Sequence, residues 1–147
     1  MRCLGIDYGE RRIGLSYGDD LGVATPLPAI VADDGLDRIG KIGLVVKNRR
    51  VTDLVIGYPL NMDGTAGFKT REVETFIRDL SERIDLPVHR VDERLTTQVA
   101  RAHLPKSRDD EMRRSGRVDS MAAAVILQDF LDQRLGLDPM IGGDTEP

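Results

Sequence analysis

The stretch LGIDYGERRIGLS, residues 4–16, has the pattern of two short strands joined by a tight turn. Apolar residues lie on both sides of the central YGERR, where glycine and charged residues mark the turn. One carboxylate, Asp7, stands inside the first apolar run, where a charge without a partner is costly. The stretch therefore predicts a β-hairpin and raises the question of what offsets the cost of Asp7.

Three further strands and four helices are predicted after this hairpin. The run VATPLPAIV, residues 23–31, forms a third strand, and its two prolines place it at a sheet edge, where a missing N–H does little harm. Compact apolar strands are predicted at 54–56 and 88–91, each after a segment with helical periodicity. The clearest amphipathic helix has apolar residues at helical spacing: Val73, Phe76, Ile77, Leu80 and Ile84.

The remaining segments complete the assignment. The polar segment 61–70 has no clear period and is expected to be a mobile loop. A helix is predicted over 95–104, a flexible loop over 106–115, and a last helix from Gly116 to Gly136. The first helix is predicted from Gly35, with four residues on its apolar face: Leu36, Ile39, Gly43 and Val46.

The order of elements is β-β-β-α-β-α-β-α-α, which predicts an α/β fold with a mixed five-stranded sheet. Consecutive hairpins make the first three strands antiparallel, and the later strands join the sheet in parallel through right-handed crossovers. Helices should then cover both faces. We expect one domain over 1–136 and a flexible C-terminal tail over 137–147, which is rich in glycine, proline and polar residues.

Composition narrows the possible function classes. The chain has 147 residues, a net charge of −4 and a single cysteine, which is enough for one domain with a real core. The negative charge argues against a broadly basic, nucleic-acid-coating surface. The lone Cys3 excludes an internal disulfide and a cysteine zinc cluster, and is interpreted as a small buried apolar residue. With no long apolar run and no signal-peptide organisation, a cytoplasmic protein is expected.

Three carboxylates stand where a charge is costly. Asp7 lies in the first strand, Glu93 just past the fifth, and Asp119 at the start of the last helix. Helical spacing puts Asp119 on an apolar side of its helix, so its side chain points towards the protein, and small residues let that helix lie close to the sheet. The apolar residues on that side are Ala122, Ala123, Ile126 and Phe130.

Each acid also has a simpler interpretation. Asp7 could cap the turn that follows it, Glu93 could pair with a neighbouring arginine, and Asp119 could be a first-turn acid favoured by the helix dipole. If the three converge, however, they need a cation or shared protons, because two unit charges 4 Å apart repel by about 4 kcal/mol at an effective dielectric of 20.

The donor atoms indicate which cation would suit such a cluster. The chain has two histidines, so a histidine-rich zinc site is disfavoured, whereas all-oxygen ligands favour Mg²⁺ or Mn²⁺. Carboxylates that hold such ions suit attack of water on a phosphodiester. The three acids therefore favour a metal-dependent nuclease.

Four motifs together resemble the YqgF family, which is similar to RuvC-type Holliday junction resolvases and associated with pre-16S rRNA cleavage. The resemblance runs from Leu4 to about Leu135 and implies a ribonuclease H-like fold. In order along the chain, the motifs are GIDYGERRIGLS, LVIGYPLNMDGT, VDERLTTQVA and GRVDSMAAAVILQDFL.

The resemblance also implies a catalytic, metal-binding triad of Asp7, Glu93 and Asp119. Asp92 is the substitute for its neighbour Glu93, although strand alternation would send it to the other face. Contacts to nucleic acid are expected from Arg94, Asn61, Asp63 and Arg117. Asn61 and Asp63 could instead order their loop.

The resulting hypothesis is a Mg²⁺- or Mn²⁺-dependent endonuclease that acts on structured nucleic acid. The resemblance implies 5′-end maturation of the pre-16S ribosomal RNA, with that RNA as partner. Branched DNA and ribosomal particles are further possible partners, and the protein is expected to be a monomer or homodimer.

Three alternatives remain open. The first is a Holliday junction resolvase-like DNA nuclease, and the second is a non-catalytic nucleic-acid-binding module. The third is the phosphate-binding half of an actin or sugar-kinase type ATPase, whose first motif is also an aspartate before a glycine-containing hairpin. Such an ATPase half does not require Glu93 and Asp119, which a nuclease needs.

Overall fold

Five strands and three helices make up the part of the chain that the structure, a computed structural model, describes: residues 1–31, 37–92 and 117–136. The predicted helix at 95–104, the loop at 106–115 and the tail at 137–147 lie outside these ranges. In chain order the elements are β1 (Arg2–Asp7), β2 (Arg12–Asp19), β3 (Thr25–Val31), α1 (Arg38–Arg49), β4 (Asp53–Tyr58), α2 (Phe68–Arg83), β5 (Val88–Asp92) and α3 (Arg117–Leu135).

The sheet has the predicted mixed architecture, with strand order β3-β2-β1-β4-β5. β1 pairs with β2 and β2 with β3 in antiparallel fashion, whereas β1 with β4 and β4 with β5 are parallel. β3 lies at one edge, as its prolines Pro26 and Pro28 predict. Among the described residues, no helix is long and apolar enough to cross a membrane.

Two apolar clusters pack against this sheet, one on each face. Leu4, Ile6 and Ile56 belong to a cluster that also contains buried residues of α1 and α2. Cys3 and Val55, which alternate with them along β1 and β4, belong to a second cluster with buried residues of α3. Helices therefore cover both faces, as predicted, and each strand divides its side chains between them.

The last helix packs close to the sheet because both surfaces carry small residues. Ala122, Ala123 and Ala124 are buried, and a Cβ atom on Gly5 of β1 would lie 2.9 Å from the carbonyl oxygen of Ala123. The hydroxyl of Ser16 on β2 donates to that same carbonyl at 2.7 Å. The predicted close approach of the alanine-bearing helix is confirmed.

The first helix differs from its prediction. It begins at Arg38 because the side chain of Asp37 accepts a hydrogen bond from the N–H of Gly40 and caps the helix. The buried residue of α1 is Ile42, whereas a Cβ atom on Gly43 would have nothing within 4 Å. The apolar face is therefore centred on Ile42, and the prediction that Gly43 lies on it was wrong.

Candidate active site at the carboxyl edge of the sheet

Asp7 is the last residue of β1. Because β1, β4 and β5 are parallel, they end at the same edge of the sheet, at Asp7, Tyr58 and Asp92. We call this the carboxyl edge. β2 is antiparallel to β1 and begins there with Arg12. A half-buried carboxylate at a strand end is less costly than one in the strand interior, because part of it still meets solvent.

The backbone pairing shows which face of the sheet Asp7 occupies. Cys3 packs in the apolar cluster under α3, and side chains alternate along a strand, so Cys3, Gly5 and Asp7 share that face. Asp7 pairs directly with Gly14 of β2, and directly paired residues also share a face. Asp7 and Gly14 therefore both face α3.

Gly14 joins Asp7 to the first turn of α3. A Cβ atom on Gly14 would lie 2.0 Å from the carbonyl oxygen of Asp119, so the absence of a side chain lets the helix start rest on β2. Paired Cα atoms are about 5 Å apart, and the backbones of Asp7 and Asp119 are therefore within roughly 10 Å of each other. Gly14 lies within β2, outside the hairpin turn, and its lack of a side chain admits this helix.

Asp119 is held in place by its neighbour Ser120. The buried hydroxyl of Ser120 donates to the carbonyl oxygen of Leu27 at 2.6 Å and accepts from the N–H of Leu15 at 3.4 Å. These contacts tie the first turn of α3 to β2 and β3. Burial raises the pKa of Asp119, partly opposed by the positive charge of Arg12. The site thus contains a carboxylate that has lost part of its hydration.

Arg12 is the basic residue that sequence reasoning missed. It begins β2 two residues before Gly14, so strand alternation gives it the same face as Asp7 and Asp119. Its charge acts on Asp119, and its side chain is half-buried. The signal was present in the sequence, since Arg12 and Gly14 have the spacing of one strand face, but Arg12 was assigned to the turn.

The hairpin turn beside Asp7 is clamped by α1. The guanidinium group of Arg38 donates to the carbonyl oxygens of Gly9 at 2.9 Å and Glu10 at 3.0 Å. It also lies over the ring of Tyr8, 5.4 Å from the ring centroid. A Cβ atom on Gly9 would lie 2.4 Å from the carbonyl oxygen of Arg12. The turn that connects Asp7 to Arg12 is therefore compact, and Arg38 of α1 holds it in place.

Asp92 faces away from this site. It pairs with Tyr58, which packs with the cluster under α1 and α2. Arg90, two residues earlier on β5, donates to Glu74 of α2 at 2.8 Å. Asp92 therefore belongs to the α2 face, which agrees with the predicted alternation and removes the geometric basis for using it in place of Glu93.

Three predicted site residues lie at or beyond the borders of the described ranges. Glu93 and Arg94 lie outside the described residues, and so does the side chain of Arg117. Within the described ranges, no group of three or more histidine, cysteine, aspartate or glutamate side chains could hold a metal ion. Asp7 and Asp119 are brought to one face, and carboxylate oxygens are donors that hard divalent cations prefer.

Asn61 and Asp63 form a hydrogen-bonded turn just after β4. The N–H of Asn61 donates to the carbonyl of Thr65 at 2.9 Å, and Asp63 accepts from the Thr65 hydroxyl at 2.6 Å. The segment 61–70 was expected to be a mobile loop, and the extent of that loop was wrong. Its turn is closed by these bonds, and its last three residues belong to α2, which begins at Phe68. A contact of Asn61 and Asp63 with nucleic acid stays a prediction.

The chain resembles known proteins along most of its length. The RuvX family model, described as Holliday junction resolvase, matches residues 1–133. A protein of Opitutus terrae named "Putative pre-16S rRNA nuclease" is 57% identical over 135 residues, covering 91% of this chain and 93% of the relative. A protein of the same name from Syntrophus aciditrophicus is 42% identical over 133 residues, covering 90% of this chain and 89% of that protein.

Solved structures agree with the fold. Thermus thermophilus RuvC in complex with Holliday junction substrate superposes with a TM-score of 0.54 at 17% identity, covering 92% of this chain and 96% of that one. A Fowlpox virus resolvase complex with Holliday junction DNA gives 0.52 at 10% identity, covering 92% and 99%. These likenesses confirm the predicted ribonuclease H-like fold. By the family match and by its identity to the relatives from Opitutus terrae and Syntrophus aciditrophicus, the chain belongs to the RuvX (YqgF) family, described as Holliday junction resolvase.

Proposed function

We propose that this protein is a divalent-metal-dependent endonuclease that cleaves phosphodiester bonds in structured RNA, with the precursor of 16S ribosomal RNA as its substrate and the cytoplasm as its compartment. One structural observation carries the proposal: Asp7 and Asp119 come to the same face of the carboxyl edge across Gly14. The names of the relatives at 57% and 42% identity support the choice of substrate. The family match favours a nuclease over the ATPase alternative.

Asp7, Asp119 and Glu93 would hold the metal. His89 contacts Phe130 of α3 with ring centroids 4.8 Å apart, and Val91 lies in the cluster under α3. The α3 face of β5 is therefore the face of Asp7, and the choice of Glu93 as third ligand follows the VDER motif of the family resemblance. When bound, Mg²⁺ or Mn²⁺ would neutralise the carboxylates, polarise a phosphate and lower the pKa of an attacking water.

The protein residues at the edge have separate tasks. Asp119, held by the hydrogen bonds of Ser120, presents a partly desolvated carboxylate that gains from a nearby cation. Arg12, on the same face, can bind two oxygens of one phosphate group with its planar guanidinium group. Because Arg38 clamps the turn between Asp7 and Arg12, the two groups are pre-positioned before substrate arrives.

The test is cleavage of an RNA that carries the 5′ extension of 16S ribosomal RNA, with Mn²⁺ or Mg²⁺ and with EDTA. Asp7→Asn and Asp119→Asn should each lower the rate at least about 100-fold, because a metal ligand contributes several kcal/mol to the transition state. Asp79→Asn, on an exposed site of α2, is the matched control and should cleave normally. Cleavage that survives in EDTA or in Asp7→Asn would remove the proposed mechanism.

A second comparison resolves the choice between the two neighbouring acids. Glu93→Gln should abolish cleavage, whereas Asp92→Asn should retain most of it, because Asp92 lies on the α2 face. The opposite result would show that β5 changes its alternation at its end.

The family description keeps a four-way DNA junction as the second candidate substrate. The same variants should be assayed on this junction, so that faster cleavage of DNA than of RNA would select the resolvase activity. RNA binding that is unaffected by Asp7→Asn, without cleavage of either substrate, would instead identify a non-catalytic binding module. Association with ribosomal particles is tested by cosedimentation.

A further inference from the structure

The last turn of α1 lies at the edge of the sheet opposite the carboxyl edge, which we call the amino edge. β1, β4 and β5 begin at this edge, with Arg2 at the start of β1. The chain leaves α1 and enters β4 through Thr52, whose N–H donates to the carbonyl oxygen of Arg2 at 2.8 Å. Arg2 and Asp7 are the two ends of β1, so the amino edge is about 17 Å from Asp7. The end of α1 is therefore too far from the candidate active site to touch a reacting phosphate.

The charged side chains of α1 and of the turn after it are all basic. Residues 38–52 contain five lysine and arginine residues and no acid, on a chain with a net charge of −4. Three of these cations, Lys47, Arg49 and Arg50, lie together at the amino edge and are exposed. We call these three residues the basic cluster. Within the described ranges, none of the three forms an ion pair with an acid.

The acids around the amino edge are engaged with other basic groups. Asp20 binds the N-terminal amine at 3.1 Å, and Asp53 lies 2.8 Å from the imidazole of His89. Asp19 is directly across from Arg2 in the pairing of β1 with β2. The positive charge of the basic cluster is therefore left to meet solvent or an anionic partner.

Arg50 occupies a backbone position where glycine is the usual residue. Its φ of 54° and ψ of 46° are left-handed, and in the part of the chain that the structure describes no other non-glycine residue has a positive φ. The N–H of Val51 donates to the carbonyl oxygen of Val46 at 3.0 Å and closes the helix end. The helix dipole explains cations at Lys47 and Arg49, but glycine at position 50 would close the helix without strain. An arginine retained at a strained position indicates that its charge is used.

Arg49 is ordered by an aromatic ring. Its guanidinium group lies 5.1 Å from the ring centroid of Tyr17, and Tyr17 packs against the apolar cluster under α1 and α2. Because this stacking holds the side chain, less conformational entropy is lost when its N–H groups bind a phosphate. The basic cluster thus combines charge with an ordered guanidinium group, which suits a phosphate backbone.

We propose that the basic cluster binds the phosphate backbone of the RNA substrate, at a part of that RNA remote from the cleaved bond. This inference rests on the proposed function and adds a second RNA-binding surface to it. The cluster adds affinity for long, structured RNA without acting on the chemical step, because it lies at the edge opposite Asp7. A short RNA that carries only the cleavage position does not reach it.

The first test is the salt dependence of RNA binding, measured in EDTA by fluorescence anisotropy of a labelled precursor RNA. Each lost phosphate contact should reduce the slope of log K against log salt by about 0.7–0.9. The triple variant Lys47→Gln, Arg49→Gln, Arg50→Gly should therefore reduce it by about 2–3. Arg78→Gln, which removes a cation from an exposed site of α2, is the matched control and should keep the wild-type slope. An unchanged slope in the triple variant, or an equal loss per charge in Arg78→Gln, would overturn the proposal.

Two variants of Arg50 separate its charge from its backbone strain. Arg50→Gly should raise the melting temperature, because glycine adopts the left-handed conformation without strain, and should nevertheless weaken RNA binding and reduce the salt slope. Arg50→Lys keeps the charge and should keep the wild-type slope. A higher melting temperature of Arg50→Gly with unchanged RNA binding would show that this arginine has no part in binding RNA.

Cleavage kinetics separate the inference from the proposed function. The triple variant should raise KM for the precursor RNA with kcat unchanged, and should cleave a minimal fragment like the wild type. If the wild type cleaves the precursor and the triple variant has the same KM, the inference alone is wrong. If the wild type binds RNA through the basic cluster but cleaves no RNA, the proposed function alone is wrong. Capture of the wild type but not the triple variant by phosphatidylserine vesicles, with equal RNA affinity, would overturn the proposal in favour of a membrane surface.

Discussion

Substitution of Gly14 by alanine should separate α3 from the sheet and displace Asp119. The new Cβ atom would lie 2.0 Å from the carbonyl oxygen of Asp119 and 2.8 Å from the amide nitrogen of Ser120. Real Cβ atoms essentially never come closer than 3.0 Å to another heavy atom, so the backbone must move by at least 3.0 − 2.0 = 1.0 Å. Overpacking of this kind costs about 1–3 kcal/mol. A displacement of about 1 Å at a catalytic group can lower the rate about 100-fold.

Gly43→Ala is the matched control, because a Cβ atom there would have nothing within 4 Å. Since Gly43 lies within α1, alanine should stabilise the protein by about 0.5–1 kcal/mol. Urea denaturation and RNA cleavage are measured for both variants. Gly14→Ala should be less stable and far less active than wild type, and Gly43→Ala more stable and equally active. Wild-type stability and activity in Gly14→Ala would refute the packing of α3 against Gly14 on which the site depends.

Three further predictions concern ionisable groups. In EDTA at pH 7, Asp119→Asn should raise the melting temperature, because burial raises the pKa of Asp119 and disfavours its charged form. The stability that this carboxyl group contributes is present below pH 3.8 and is lost as the pH rises through its folded pKa. The difference in melting temperature between Asp119→Asn and wild type should therefore shrink towards pH 4. The Arg83 guanidinium group lowers the pKa of Asp37 to about 2, so Asp37→Ala should lower the melting temperature at pH 7, and the difference should disappear as pH falls from 4 to 2. Burial raises the pKa of Cys3 to about 11, so a thiol reagent at pH 8 should label it only after unfolding, and rapid labelling of the native protein would contradict its burial.

The antiparallel pairing of β1, β2 and β3 and the alternation of side chains between two faces could be predicted from local pattern. Hairpin spacing and the two prolines of β3 determine the antiparallel half, and apolar alternation assigns Leu4 and Cys3 to opposite faces. These features depend on short-range periodicity, which a single sequence contains. The orientation of Asp119 was predicted for the same reason, since helical spacing places it with Ala122 and Ala123.

The contacts around Gly14 and Arg12 could not be predicted in the same way. Gly14 is a close-contact residue only because α3, more than 100 positions later in the chain, crosses β2 there. The hydrogen-bonded turn after β4 was not predicted, because it depends on side-chain hydrogen bonds of Asn61 and Asp63. Such bonds leave no periodic signal. Long-range packing and local turn bonds are therefore what the sequence pattern omits.

The central claim is that Asp7 and Asp119 act together in one metal-dependent nuclease site. It is tested most directly by the cleavage rate of the precursor RNA with Mn²⁺ for wild type, Asp7→Asn, Asp119→Asn and the double variant. If the two carboxylates act as a unit, each single variant should lose nearly as much activity as the double variant, because removing either leaves the other without function. Losses that multiply in the double variant, or a wild-type rate in either single variant, would contradict a shared site.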